Sequence, residues 1–204
     1  MLFSDSSIAK YIDQNFEPVW ESVRPVPMIT IDFGNGRKVK RTLHGNIASY
    51  VCTADGRVVD VLPGLYKPDT YRDALSKLVT VARNAQSAAE RTGSKSKYLA
   101  TYHQKALLSI RGIKVPPVTN TAVVSHGLSH TPSDVVAWPE LTEETTINET
   151  QRRKLIHEKL AGMLSETTPA QLKPWLYKDV LHCDLDDPYL GLQAALFENY
   201  PFVD

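Results

Sequence analysis

The sequence predicts an α/β protein, with strand pairs in its first third, an amphipathic helix laid on them and a helical extension at its C-terminus. Three observations carry this reading. Two β-rich stretches are each folded back on themselves by a glycine-bearing turn, at Gly34-Asn35-Gly36 and at Ala54-Asp55-Gly56. Tyr71, Ala74, Leu75, Leu78, Val81 and Ala82 recur at helical spacing and form one apolar stripe. From residue 148 onward, apolar residues recur at helical spacing behind candidate capping boxes.

The elements follow in order. Ser4 or Asp5 caps a first helix, whose apolar face is Ile8, Tyr11, Ile12 and Phe16 and whose end is marked by Asn15. A strand is expected over residues 16–22, where Phe16, Pro18 and Trp20 alternate with Glu17 and Glu21. Pro18 cannot donate to a ladder, which makes it an edge strand or an irregular one. A hairpin over 28–43 and a second strand pair, Ala48 to Thr53 and Arg57 to Leu62, come next, and Pro63-Gly64 closes them. The striped helix starts at Pro68-Asp69 and breaks near Thr92-Gly93-Ser94. Another helix carries Leu99, His103, Ala106, Leu107 and Ile110 on one face. Residues 113–147 hold Pro116, Pro117, Pro132 and Pro139 with little periodicity and read as a long irregular connection. Asn148 with Gln151, and Thr168-Pro169-Ala170-Gln171, read as capping boxes of two further helices. A short helix from Pro188 to Phe197 completes the chain. The expected organisation is a core over residues 1–90, a helix and irregular connection over 91–147, and a helical extension over 148–204 packed on the core.

Composition narrows the classes. The 204 residues carry 23 basic and 23 acidic side chains, are 42% hydrophobic and have a sequence pI near 7.0. An apolar run of about 18 residues, as a membrane span needs, is missing. No charged-then-apolar leader opens the chain, which favours a cytoplasmic location. The two cysteines, Cys52 and Cys183, are too few for a disulfide scaffold. The zero net charge is uneven: residues 1–115 hold 17 basic and 10 acidic side chains, and residues 116–204 hold 6 and 13. Halves of charge +7 and −7 are expected to pack on each other.

One resemblance stands out. Phe3-Ser4-Asp5-Ser6-Ser7-Ile8-Ala9, running into Asn15-Phe16-Glu17-Pro18-Val19, and the strand–Asp55-Gly56–strand unit resemble a group of the thioredoxin-like superfamily over about residues 3–82. The resemblance implies a thioredoxin-like mixed sheet with packed helices, degenerate at its redox end. The family's Cys-x-x-Cys occurs nowhere in the chain, and the slot for its cis-proline holds Ile47. Dithiol–disulfide chemistry is therefore not available to this chain alone.

Other chemistry is sparse. Cys52 reads as a structural thiol, the alternative being a one-cysteine site assisted by His44. His126 and His130 have metal-ligand spacing, but Gly127 and Pro132 oppose a helix there. His182 and Asp184 belong to a second group of candidate ligands, within which capping explains Asp187. His103 on its apolar stripe reads as a hydrogen-bonded core residue, and His157 among charges as a solvated one. Arg83, Arg91, Lys95, Lys97, Lys105, Arg111 and Lys114, with Tyr98 and Tyr102, form a basic stretch. The neutral total charge makes nucleic acid an unlikely partner. No phosphate loop, nucleophile elbow or cofactor signature is present.

These readings converge on a non-catalytic thioredoxin-like module that binds a protein or peptide, with strand addition at the hairpin region, where Pro18, Pro25 and Pro27 imply an exposed edge. The alternatives are a thiol-dependent oxidoreductase using Cys52 or a dithiol upstream of this chain, and a divalent-metal protein using His126, His130, His182 and Asp184. The sequence leaves the oligomeric state open.

Overall fold

Asp5 starts the first helix, α1 (Ser6–Asn15), by accepting from the backbone N–H of Ser7 at 2.9 Å and of Ile8 at 3.2 Å. The computed structural model describes residues 3, 5–25, 28–42, 46–111, 138–163 and 166–191. The chain is a mixture of helix and antiparallel sheet. Strands β1 (Met28–Asp32) and β2 (Lys38–Thr42) form one hairpin, with Ile31 opposite Val39. Strands β3 (Ala48–Cys52) and β4 (Val58–Pro63) form the other. The described strands pair only in these two two-stranded sheets, and no parallel pair joins them into the expected mixed sheet.

A register shift between Val51 and Cys52 inserts one extra residue on β4. The bulge resets the inside–outside alternation, so that Val58 and Val61, three apart, both face one core while Val59 and Leu62 face another. Asp60, opposite Val51, comes to lie on the Leu62 side of the strand. All six residues of β4 are buried, so both faces of this strand are covered.

The first core combines Ile8 of α1, Val51, Val59 and Leu62 of the hairpin, and the stripe Tyr71, Ala74, Leu75 and Leu78 of α2 (Pro68–Thr92). Pro68 occupies the first turn, where its missing N–H leaves no bond unmade. Gly93, in the left-handed conformation, stops the helix. Helix α3 (Lys95–Arg111) adds Leu99 to this core.

The C-terminal part is more helical than its sequence predicts. Helix α4 (Trp138–Ile147) lies in the stretch expected to be irregular and runs through a π-helical turn (Asn148–Arg152) into α5 (Arg153–Ala161). Asn148 is therefore a mid-helix residue, not a cap, because its side chain is spent elsewhere. It donates to the Leu65 carbonyl at 2.7 Å and accepts from Arg152 at 2.6 Å. Thr145 accepts from the Lys67 N–H at 3.0 Å, ahead of α2. These tertiary bonds hold a helix whose threonines give it little propensity of its own.

The second capping box forms as expected, with Thr168 and Gln171 satisfying each other's backbone at the start of α6 (Pro169–Trp175). A π-helical turn (Leu176–Val180) continues α6. Two further expectations fail. Residues 16–22 are not a paired strand, and residues 188–191 form turns, with φ of +56° at Leu190 and +75° at Gly191, values that a right-handed helix excludes. The remainder of that predicted helix lies outside the described residues.

Helix α5 packs on α3 and β4, and a second core joins Val58 and Val61 to Ile156, Leu160, Leu172, Leu176, Val180 and Leu190. The two oppositely charged halves do meet, but only in part sign to sign. Lys95 of the basic half pairs with Glu166, whereas Asp60 and Glu21 of that half pair with Arg153 and Lys173 of the acidic one.

Gly64 sits where these parts converge. Its φ is +74°, and a Cβ there would lie 2.8 Å from Glu144 Oε1 and 2.9 Å from both Arg152 Nη1 and Asn148 Nδ2. Gly64→Ala is expected to lower folding stability by about 1–3 kcal/mol, measured by urea denaturation, because it combines a left-handed backbone with a displaced polar cluster.

Candidate functional site

The densest chemistry lies at the seam between the halves. Asp60 on β4, Tyr102 and His103 on α3, and Arg153 and His157 on α5 meet there, and Asp60 is 0% exposed and both histidines 2%. Helical spacing puts Arg153 and His157 one turn apart on the same face of α5. His157 is thus a core residue, contrary to the solvated position its charged neighbours suggest. His103 has the buried, hydrogen-bonded place its apolar stripe predicts.

The bonds form one chain. Arg153 Nη2 donates to Asp60 Oδ2 at 2.6 Å and approaches His157 Nε2 at 3.3 Å. The Tyr102 hydroxyl donates to the same Asp60 oxygen at 2.9 Å, and the Val61 N–H donates to Asp60 Oδ1 at 2.8 Å. His103 Nδ1 and His157 Nδ1 lie 2.9 Å apart. Arginine has no acceptor, so His157 Nε2 must be the bare nitrogen. A neutral His157 then carries its proton on Nδ1 and donates it to His103 Nδ1. His103 keeps its own proton on Nε2 and bonds the Val59 backbone. This assignment follows from the partners alone.

Electrostatics agree with these protonation states. Burial pushes the Asp60 carboxyl up, but Arg153 and the two histidines hold it below the ordinary carboxylate range. Burial pushes both imidazoles down, against the pull of Asp60 and with the help of Arg153, and His157 reaches about 4. At pH 7 the cluster therefore holds one carboxylate, one guanidinium and two neutral rings. Glu149 lies 3.5 Å from the other side of Arg153, and its carboxylate raises the buried Tyr66 hydroxyl beyond what burial does.

Asp60, His103 and His157 are also the one set of three ligating groups, among the described residues, whose donor atoms lie within 4.8 Å of each other. The wiring does not fit a metal ion. Coordination through His157 Nδ1 would move its proton to Nε2, against the N–H of Arg153. Coordination through Nε2 would displace Arg153 from the ring. Either way the ion would share Asp60 with a guanidinium and a phenol. His103 also borders a cavity of about 20 Å³ lined by Ser96, Leu99, Leu160 and Glu166, room for a single water-sized molecule. The five side chains thus satisfy one another, and the adjoining cavity has room for no more than a water-sized molecule.

The residues singled out from sequence fall elsewhere. Cys52 is half-buried, and burial, followed by the Asp55 charge, raises its thiol, which opposes thiolate chemistry. His44, His126 and His130 lie outside the described residues. His182 is exposed, with φ of +51°, and Asp184 accepts from Lys178 Nζ at 2.7 Å and from the Asp186 N–H at 3.1 Å. No cluster of ligating groups among the described residues includes either of them. Sequence reading missed Asp60 and Arg153. A single carboxylate inside Val58-Val59-Asp60-Val61-Leu62 was the available signal, since a charge in a fully buried strand requires a partner.

A second site lies on the surface. Residues 16–25 belong to no helix or strand and run between two anchors. At one end Phe16 packs against the first core. At the other, Val23 packs against the second core, and Arg24 donates to the Leu185 carbonyl at 3.1 Å, the Pro188 carbonyl at 2.7 Å and the Asp187 carbonyl. Glu21 pairs with Lys173 at 2.7 Å. Between these anchors Val19 is 90% and Trp20 84% exposed. Among the described residues, residues 17–22 make no backbone–backbone hydrogen bond.

No family model matches the chain, and no curated protein and no solved structure is found similar to it. No helix among the described residues is long and apolar enough to cross a membrane.

Proposed function

We propose that this chain is a non-catalytic binding module, a redox-inactive relative of the thioredoxin-like superfamily, that docks a protein or peptide on the strap around Val19 and Trp20. The observation that carries the reading is the pinned strap itself, with two large apolar side chains turned to solvent on a backbone that, among the described residues, pairs with no other backbone. A tryptophan held at both ends loses little entropy on binding, and such anchors dominate interface energies. The backbone of residues 19–22 can pair with an added strand, whereas Pro18 blocks one donor and so sets its register. The likeness to the thioredoxin-like superfamily rests on the order of α1, the Asp55-Gly56 hairpin and α2, and not on sheet topology.

The test begins from a displayed library of extended peptides, selected on the intact protein. A selected peptide should bind Trp20→Ala at least about 30-fold more weakly, in line with a central aromatic anchor, and Lys154→Ala equally well. Peptides that bind the Trp20→Ala variant undiminished would place the docking surface elsewhere.

A further inference from the structure

We propose that the His103–His157 pair is an acid-released latch: at neutral pH it holds the C-terminal helical layer on β4 and α3, and its protonation frees that layer while the N-terminal core stays folded. The geometry leaves no place for another proton. The two bare ring nitrogens are His103 Nδ1, which faces the Nδ1–H of His157 at 2.9 Å, and His157 Nε2, which faces the Arg153 guanidinium at 3.3 Å. A proton added at either sets one N–H against another and breaks the chain of bonds across the seam.

The groups around the pair act in both directions. Asp60 from β4 favours an imidazolium, whereas Arg153 from α5, the other ring and burial oppose it. Tyr102 from α3, Glu149 beside Arg153, and Glu166 across the small cavity that His103 borders, itself paired with Lys95, are the other charged and titratable groups there. In the released chain an imidazole has its ordinary value of 6.5, whereas docked His157 titrates near 4. The released state takes up protons that the docked state refuses. The latch is therefore closed above pH 6.5 and loosens progressively as pH falls toward 4. At pH 5 the docked-to-released ratio drops about 30-fold for His157 alone, and His103, depressed for the same reason, adds to the drop.

Release is local because the cores are separate. The first core takes all its members from residues 8–99, so it loses no buried member when the C-terminal layer leaves. The second core spans the seam, with Val58 and Val61 on one side and Leu176, Val180 and Leu181 on the other. Its opening uncovers an apolar face of β4 and bares Cys183, buried when docked.

The experiment labels the intact protein with a pyridyl disulfide, a reagent active toward thiols in acid, while hydrogen exchange of α2 reports on the first core. Labelling of Cys183, normalised to the unfolded chain at each pH, should rise about 30-fold or more from pH 7.5 to 5, with α2 still protected. In His157→Gln the amide oxygen accepts from Arg153 and the amide N–H donates to His103, without a titrating ring. That variant should lose at least about tenfold of the acid response. Labelling unchanged down to pH 4, or α2 protection lost at the same pH, would overturn the latch, as would a folded His157→Gln with the full acid response. Should that variant not fold, the ring proton shifts of wild-type His103 and His157 decide, and ordinary titration near pH 6.5 overturns it.

Discussion

Replacing Arg153 with methionine is expected to cost about 3–5 kcal/mol of folding stability, because it strands a carboxylate that no solvent reaches. Asp60 is fully buried, and Arg153 at 2.6 Å is its one salt-bridge partner among the described residues. Tyr102 and the Val61 N–H would remain as donors, but neither carries charge. For a domain whose total stability is typically about 5–15 kcal/mol, the loss leaves a protein near its threshold. The deficit should also depend on pH with a definite sign. Without Arg153 the strongest opposing charge is gone, and burial, the largest influence on Asp60, raises it against the weaker pull of the histidines and the Val61 N–H, so the carboxyl takes up a proton on folding and the variant's deficit shrinks as pH falls. In the wild type the carboxyl is held low, and its contribution disappears only once pH falls below the ordinary carboxylate range. Paired removal separates charge from packing: Asp60→Leu with Arg153→Met should recover part of the loss. Urea denaturation of the two single variants and the double variant at pH 7 and 5 checks these expectations. A single Arg153→Met variant within about 1 kcal/mol of wild type would show that the pair is not what offsets the burial of Asp60.

Leu176→Ala should cost about 2–5 kcal/mol, the second of the large effects. Leu176 opens the π-helical turn that follows α6, is 0% exposed and belongs to the second core with Leu172, Val180 and Val61. Neighbours there come from a strand, α5 and the turn itself, and such a junction closes poorly over a vacated volume, which favours the upper part of that range. The midpoint of urea unfolding should fall with little change in slope, as expected when stability changes and exposed area does not. The added hydrogen exchange should concentrate in α5 and α6. Equal loosening of α2 would mean that the two cores act as one cooperative unit.

Much of the local structure was legible because short-range chemistry decides it. The helix starting at Asp5, the hairpins turning at Gly34-Asn35-Gly36 and Asp55-Gly56, the α2 stripe with Gly93 after it and the Thr168–Gln171 box need only propensity, capping and turn geometry. Helix α4 was hidden because its support comes from Lys67 and Leu65, about 80 positions away in sequence. The strap over 16–22 alternates like a strand, but a strand exists only where a partner supplies its bonds, and none among the described residues does so.

The chain's neutral sum and opposite halves are properties of the sequence by itself, as are its mixture of helix and strand and its lack of a Cys-x-x-Cys. Tertiary structure alone decided which charges meet. Net charge acts at long range and says only that the halves attract, whereas pairing requires contact within a few ångströms and is set by which faces pack. A one-residue bulge in β4 aims Asp60, and the pitch of α5 stacks Arg153 one turn before His157. The acid of the basic half therefore meets the base of the acidic half, and two histidines 54 positions apart become one hydrogen-bonded pair.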